Sequence, residues 1–449
     1  MVRKTLPVVV TAVVIAGGAA VALAWRPGIE PVRRPAAESF DPALVKRGGE
    51  LAAIGNCVTC HTVPGGRPFA GGLGLPTPFG TIYSTNITPD ERTGIGAWSE
   101  EAFRRALWEG VDRSGRHLYP AFPYDHFTLV SERDVRALYA FLMTRAPVAV
   151  TAPENKLPFP LNLRPLIAGW KLLFLRTGRY QPDGNQSAEW NRGAYLANGL
   201  AHCGGCHTPR NALGAEERQH NFAGGEAEGW TAYALDATSP APLPWDAAAL
   251  AFYLRNGWHR EHGVARGPMS EVAENLSTVP AADARAIATY VASVAGAPSD
   301  ERRRKADAIR QQTKQTGDFG APGAAIYAAA CASCHDGSRP APYGGIELAL
   351  STGPSGPNAR NVINVILWGL PALDEQRRPI MPGFAGTLND RQLADLLAYM
   401  RARFSDKPPW SEIDKHIRAA RASEPRVKIH PAPTPEPAPA AAGLEEARE

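Results

Sequence analysis

Hydrophobic and polar positions divide this chain into short periodic elements separated by loops rich in proline and glycine. The first element stands apart. Residues 6–25, LPVVVTAVVIAGGAAVALAW, form a run of twenty without a charge, preceded by Arg3 and Lys4. Such a run is long enough to span a bilayer. It also has the basic start, apolar middle and Ala22-Leu23-Ala24 ending of a secretory signal. In both readings the basic end stays inside and the remaining chain is delivered across the membrane. A buried core helix is the weaker reading, because no polar residues mark a second face.

Three further patterns repeat. Short apolar stretches with a small residue on one face occur at 48–54, 193–200 and 323–330. Aromatic amphipathic helices are predicted at 135–143, 284–291 and 392–401. The small residues Gly48, Gly193 and Gly323 should let these helices cross closely, with Tyr139, Tyr290 and Tyr399 packing at the crossing. Between them, helical runs end in glycine at Gly110, Gly257 and Gly369, which reads as helix C-caps. The period predicts three similar helical units.

Each apolar stretch leads into the same chemistry. The motifs are Cys57-Val58-Thr59-Cys60-His61, Cys203-Gly204-Gly205-Cys206-His207 and Cys331-Ala332-Ser333-Cys334-His335. C-x-x-C-H is the attachment signature of haem c. Two thiols add to the two vinyl groups of one haem, and the following histidine ligates the iron. A zinc site would need a second C-x-x-C pair or spaced histidines, and a thioredoxin-like pair needs no histidine. The six cysteines Cys57, Cys60, Cys203, Cys206, Cys331 and Cys334 are thereby used up. The expected iron ligands on this side are His61, His207 and His335.

The capping glycines locate the opposite side. Twelve residues beyond Gly257 lies Met269, and twelve beyond Gly369 lies Met381. Both sit beside proline, which stiffens a loop. Thioether is a common sixth ligand of electron-transfer haems. The chain has five methionines. Met1 initiates, and Met143 and Met400 fall on the closing helices, where packing explains them. Twelve residues beyond Gly110 stands Phe122, which cannot coordinate iron. The first site is therefore left with His126, His117 or an open position, and His126, on the same loop, is the ligand expected. Backbone carbonyls near Pro64, Pro209 and Pro340 are expected to hold the second nitrogen of each motif histidine.

Composition adds bounds. The chain has 449 residues, 44% hydrophobic and 20% charged, enough for two to four domains with their own cores. A net charge of +4 gives no case for nucleic-acid binding. Six cysteines are too few for a disulfide scaffold.

The three motifs, together with FGTIYSTNITPD (79–90), HLYPAFPY (117–124), CHTPRNALGA (206–215) and MPGFAGTL (381–388), resemble triple-haem membrane cytochrome c subunits of bacterial dehydrogenases. The resemblance covers about residues 39–404. Members serve quinoprotein alcohol dehydrogenases and flavin gluconate, sorbitol or fructose dehydrogenases. Their first loop usually reads YPAMPY with methionine as ligand, and this chain departs there. The form with Phe122, followed by Asp125-His126-Phe127, is similar to cytochrome subunits accompanying molybdenum hydroxylases, which oxidise aldehydes or N-heteroaromatics. The resemblance implies electrons passing from a catalytic subunit, whether molybdenum hydroxylase, quinoprotein or flavoprotein, to ubiquinone or a terminal oxidase.

The expected architecture is mainly α. It comprises a signal or membrane anchor (1–25), cytochrome c domains at 39–146, 188–296 and 319–404, linkers at 147–187 and 297–318, and a Pro/Ala-rich tail at 405–449. The first linker contains PLNLRPLIAGWKLLFL (160–175), which reads as a membrane-surface or subunit-docking helix, or more simply as one packed onto a neighbouring domain. The second is charged and expected to be a solvated helix or linker. The expected function is electron relay by three haem c groups on the periplasmic side of the inner membrane. The alternatives are a peroxidase-type enzyme with an open first iron, and a haem-based docking or sensing module.

Overall fold

The computed structural model describes Gly18 and residues 24–296, 299–315, 321–337, 344–370 and 380–422. Among these residues no helix is long and apolar enough to cross a membrane. The expected amino-terminal span lies almost wholly outside them.

The first repeat opens with α1 (Pro42–Ile54), where the Asp41 carboxylate caps the Ala43 N–H and proline takes the first turn. The helix ends at the first C-x-x-C-H turn. The hairpin β1–β2 (Gly74–Thr77, Gly80–Tyr83) follows, with Leu75 opposite Ile82. Then come α2 (Glu100–Glu109) and α3 (Glu132–Met143), capped by Ser99 and Ser131. The linker carries α4 (Leu166–Phe174).

The second repeat comprises α5 (Ala188–Tyr195), hairpin β3–β4 (Gly225–Ala227, Trp230–Ala232), α6 (Ala247–Asn256), the two-residue strands β5–β6 (Trp258–His259, Gly263–Val264), α7 (Pro268–Ser277) and α8 (Ala281–Val294). Helix α9 (Asp300–Gln315) leads to the third repeat, with α10 (Pro322–Ala330), α11 (Arg360–Trp368), α12 (Asp390–Phe404) and α13 (Ile413–Ala422).

The same crossing recurs in each repeat: α1 on α3, α5 on α8, and α10 on α12. A Cβ on Gly48 would overlap the Ala137 carbonyl, one on Gly193 that of Ala286, and one on Gly323 that of Asp395. Only glycine admits so close an approach. Tyr290 and Tyr399 stand at their crossings as expected, but the first crossing is covered by Phe141. Tyr139 instead faces Phe40 and donates its hydroxyl to the Trp98 carbonyl. Gly110 and Gly257 close α2 and α6 in the left-handed conformation, and Gly369 closes α11 at φ 63°.

Two cores result. Leu51, Ile54, Leu138 and Met143 of the first repeat share one with Leu196, Leu200, Leu276 and Ile287 of the second. A separate core joins Tyr327, Ile363, Leu367, Leu397 and Met400. Two boundaries differ from expectation. Residues 405–422 are no tail: Trp410 is buried, and α13 sinks Ile417 and Ala420 into the third core. The Pro/Ala-rich stretch itself lies outside the described residues. The charged second linker is helical as α9, and it buries Ala306 and Ile309.

Candidate functional site

Each C-x-x-C-H motif forms a single helical turn after an apolar helix, at Cys57–Cys60, Gly204–His207 and Ala332–His335. No disulfide joins any of the six cysteines. Burial, with the second thiol of each pair beside them, pushes Cys57 and Cys203 up to about 12 and Cys331 to about 11. Burial thus holds the Cys57, Cys203 and Cys331 side chains as thiols.

The motif histidines share one arrangement. His61 Nδ1 lies 2.6 Å from the Thr85 carbonyl, His207 Nδ1 2.7 Å from that of Tyr233, and His335 Nδ1 3.1 Å from that of Ile346. A carbonyl only accepts, so Nδ1 carries the proton and Nε2 keeps its lone pair. Burial holds all three below the ordinary histidine range, hence neutral. Neutral imidazole with an anchored Nδ1–H is the form that ligates metal. The expected proline carbonyls near Pro64 and Pro209 are not the acceptors, and Pro340 lies outside the described residues. Hairpins β1–β2 and β3–β4 deliver two of the acceptors instead, since Tyr233 follows its second strand directly and Thr85 stands two residues past its own.

One mainly apolar cavity connects the second and third motifs. It is lined by Cys203, Cys206, His207 and Met269 on one side and Cys331, Cys334, His335 and Met381 on the other. Both expected methionines thus line the same cavity as His207 and His335. Met143 and Met400 are buried in the cores, as packing residues should be.

The first site is different. The Leu118 N–H donates to the Gly110 carbonyl at 2.7 Å, and the Ala265 N–H donates to the Gly257 carbonyl at 2.7 Å. Four residues past these matching bonds stand Phe122 and Met269, so Phe122 occupies the methionine position. Its ring packs edge-on against Phe127 at 5.3 Å.

His126, the expected first-iron ligand, is turned to the second repeat. Its Nδ1 lies 2.7 Å from the Asn198 carbonyl and its Nε2 lies 2.7 Å from Glu216 Oε1. Burial would lower its pKa, but the bond and charge of Glu216 outweigh that and raise it. A protonated ring with both nitrogens bonded has no lone pair for iron, so the expectation for His126 is corrected. His117 is committed too: Nε2 lies 2.9 Å from the Ala24 carbonyl and Nδ1 lies 3.0 Å from Lys171 Nζ.

Three groups around the motifs escaped the sequence reading. His202, one residue before Cys203, is held neutral at about 4 by burial and by the charge of His126. Its ring packs 5.7 Å from Phe127. Asn275, on the helix that bears Met269, donates to Asn56 Oδ1 at 2.8 Å and Thr59 Oγ1 at 3.2 Å in the first motif. His262 stacks on Trp245 at 3.7 Å and lines the shared cavity.

Residues 319–400 match the family described as cytochrome c oxidase, cbb3-type, subunit III. The chain is 46% identical over 411 residues to a nicotinate dehydrogenase subunit of Pseudomonas putida, covering 91% of this chain but 34% of that protein. It therefore spans about a third of that relative's length. It is 37% identical to the gluconate 2-dehydrogenase cytochrome c subunit of Pantoea cypripedii, covering 86% of this chain and 91% of the relative. The fructose dehydrogenase cytochrome subunit of Gluconobacter japonicus is 35% identical, with 89% and 87% covered. With thiol pairs, oriented histidines and relatives matched over nearly their whole length, the chain belongs to the family of cytochrome c subunits of dehydrogenases.

Proposed function

We propose that this chain carries three haem c groups and relays electrons from a dehydrogenase catalytic subunit to ubiquinone or a terminal oxidase. Each repeat is read as one cytochrome c domain, held at the periplasmic face of the inner membrane by residues 1–25. The observation that carries this reading is the threefold recurrence of a thiol pair beside a histidine whose Nδ1–H is fixed on a carbonyl. Bound haem supplies one-electron chemistry at iron. The cysteine pairs anchor it, and His61, His207 and His335 present Nε2. Met269 and Met381 supply the second ligand in repeats two and three, and apolar walls limit solvent rearrangement there. No side chain in these sites has to move a proton. The similarity to a nicotinate dehydrogenase favours an N-heteroaromatic dehydrogenase of the molybdenum hydroxylase type as partner.

Iron counting and haemochrome spectra on the purified chain test the number, with three per chain expected and two or fewer overturning it. Met269→Ala and Met381→Ala should each turn one haem high-spin. A methionine variant that leaves every haem low-spin removes that residue from the ligand set.

Phe122 favours a second reading of the first site, in which His61 is the only protein ligand and the first iron is open. Rapid cyanide or carbon monoxide binding by one haem in three would support it, and peroxide turnover at that haem would make it an enzyme site. Three low-spin haems unreactive to both ligands exclude it.

A further inference from the structure

Helix α4 is inverted relative to a water-facing helix. Its one charged residue, Lys171, is 8% exposed, while Leu172 and Leu173 are 70% and 68% exposed and Leu166 is 52% exposed. Residues 165, 166, 169, 172 and 173 form the outward stripe at helical spacing, and none of them is polar. The loop before it adds Phe159, 78% exposed. Monomeric surfaces seldom present so many large apolar side chains together.

The cations of this segment point inward. Lys171 Nζ donates to the Glu109 and Gly110 carbonyls at 2.7 and 2.6 Å and to His117 Nδ1. Arg164 Nη1 donates to the His117 carbonyl at 2.8 Å. His117 Nε2–H donates to the Ala24 carbonyl at 2.9 Å. Ala24 is where the uncharged run 6–25 ends. The apolar stripe is therefore two hydrogen bonds away from the end of the segment read as the anchor.

We propose that the exposed face of residues 159–173 lies in the interface of the lipid leaflet that receives residues 6–25, as a second, surface contact with the membrane. The occupant is a bilayer rather than a protein groove because the chain itself enters beside it. Its charge also fits: between Glu154 and Asp183 there is no acidic residue, while the flanking Lys156 and Arg176 are basic and exposed. Interfacial helices combine an apolar stripe with flanking cations that meet anionic headgroups. The proposal rests on the anchor reading above, so its test reads the two separately.

The full haem-loaded chain is mixed with vesicles of phosphatidylcholine and phosphatidylglycerol. A nitroxide is placed by Leu173→Cys, by Val13→Cys in the anchor, or by Arg391→Cys in the third repeat. Collisions with oxygen and with a water-soluble nickel chelate are compared. Oxygen-dominated relaxation at 173, with nickel-dominated relaxation at 391, is expected. Adding Leu166→Asp and Leu172→Asp should lose the oxygen excess at 173 while the haem spectrum stays unchanged. Nickel-dominated relaxation at 173 overturns the proposal, because the stripe then faces water. Suppression of both collisions at 173 also overturns it, because a protein surface or the amino-terminal run then covers the stripe. The label at 13 reports the anchor alone: oxygen excess at 173 without insertion at 13 keeps this proposal and removes the anchor.

Discussion

The first two repeats and the third use the same glycine crossing but are joined differently. Arg47, just before Gly48, pairs with Asp283 of the second repeat at 2.9 Å. Arg192, just before Gly193, pairs with Asp283 at 2.9 Å and reaches Asp134 of the first repeat at 3.7 Å. Counted from the crossings, Arg47 matches Arg192 and Asp134 matches Asp283. The two repeats thus meet about a pseudo-twofold axis, as an isologous dimer within one chain. In the third repeat the same positions hold Pro322 and Gln392. It has its own core and leans on the second through edge contacts, such as Arg310 with Glu261 at 2.6 Å and Asn361 with the Thr231 carbonyl at 2.8 Å. The helix crossing builds each haem-binding turn. The charges flanking it decide which repeats become one folding unit.

The sharpest break comes from the crossings. Gly193→Val drives a side chain into the Ala286 carbonyl and should cost about 3 kcal/mol. Because the core is shared, repeats one and two should melt together at lower temperature while the third is spared; Gly323→Val should do the reverse. Calorimetry showing the first repeat unmoved by Gly193→Val would refute the single unit.

Asp283→Asn strips both arginines of their common carboxylate, at about 2 kcal/mol. Burial alone would raise the Asp283 pKa, but Arg192 and Arg47 overcome it and hold the carboxyl below its ordinary range. Its folded value is therefore below its unfolded one, near ~4. That stabilisation is complete above this range and fades as pH falls through the folded value. Acid titration should loosen the joint core of the wild type, and Asp283→Asn should remove that dependence.

Phe122→Met should sharpen the contrast at the iron sites without touching the joint. It restores a thioether at the position matching Met269, so one haem should gain a methionine-to-iron absorption band and a higher potential. Unchanged redox titration would show that position 122 does not face the first haem. The smallest effect is expected for Arg360→Ala, whose partner Glu226 across the second and third repeats is largely solvated. It should cost less than about 0.5 kcal/mol, read as a barely moved third transition.

Much of this was legible in sequence because it depends on spacing along a helix. Cys57, Cys203 and Cys331 announce their turns, and Gly48, Gly193 and Gly323 their crossings; Met269, expected on a loop, stands instead in the first turn of α7. Thr85, Tyr233 and Ile346 were not legible, since each contributes only a backbone carbonyl and any side chain would serve. His126 misled for the opposite reason. Its type suits iron, but an acid ninety residues away, Glu216, takes its nitrogen. Helix α13 hid behind a low-complexity tail, though Ile417 and Ala420 mark its apolar face.

Helix α7 has a consequence for anyone adjusting these sites. Met269 stands near one end and Asn275 grips the first motif near the other, with six residues of rise, or about 9 Å, of stiff rod between them. A rod has no slack to absorb a change at one end. Under the proposed ligation, an exchange that shifts Met269 is handed to Asn56 and Thr59, so retuning the second site would disturb the first.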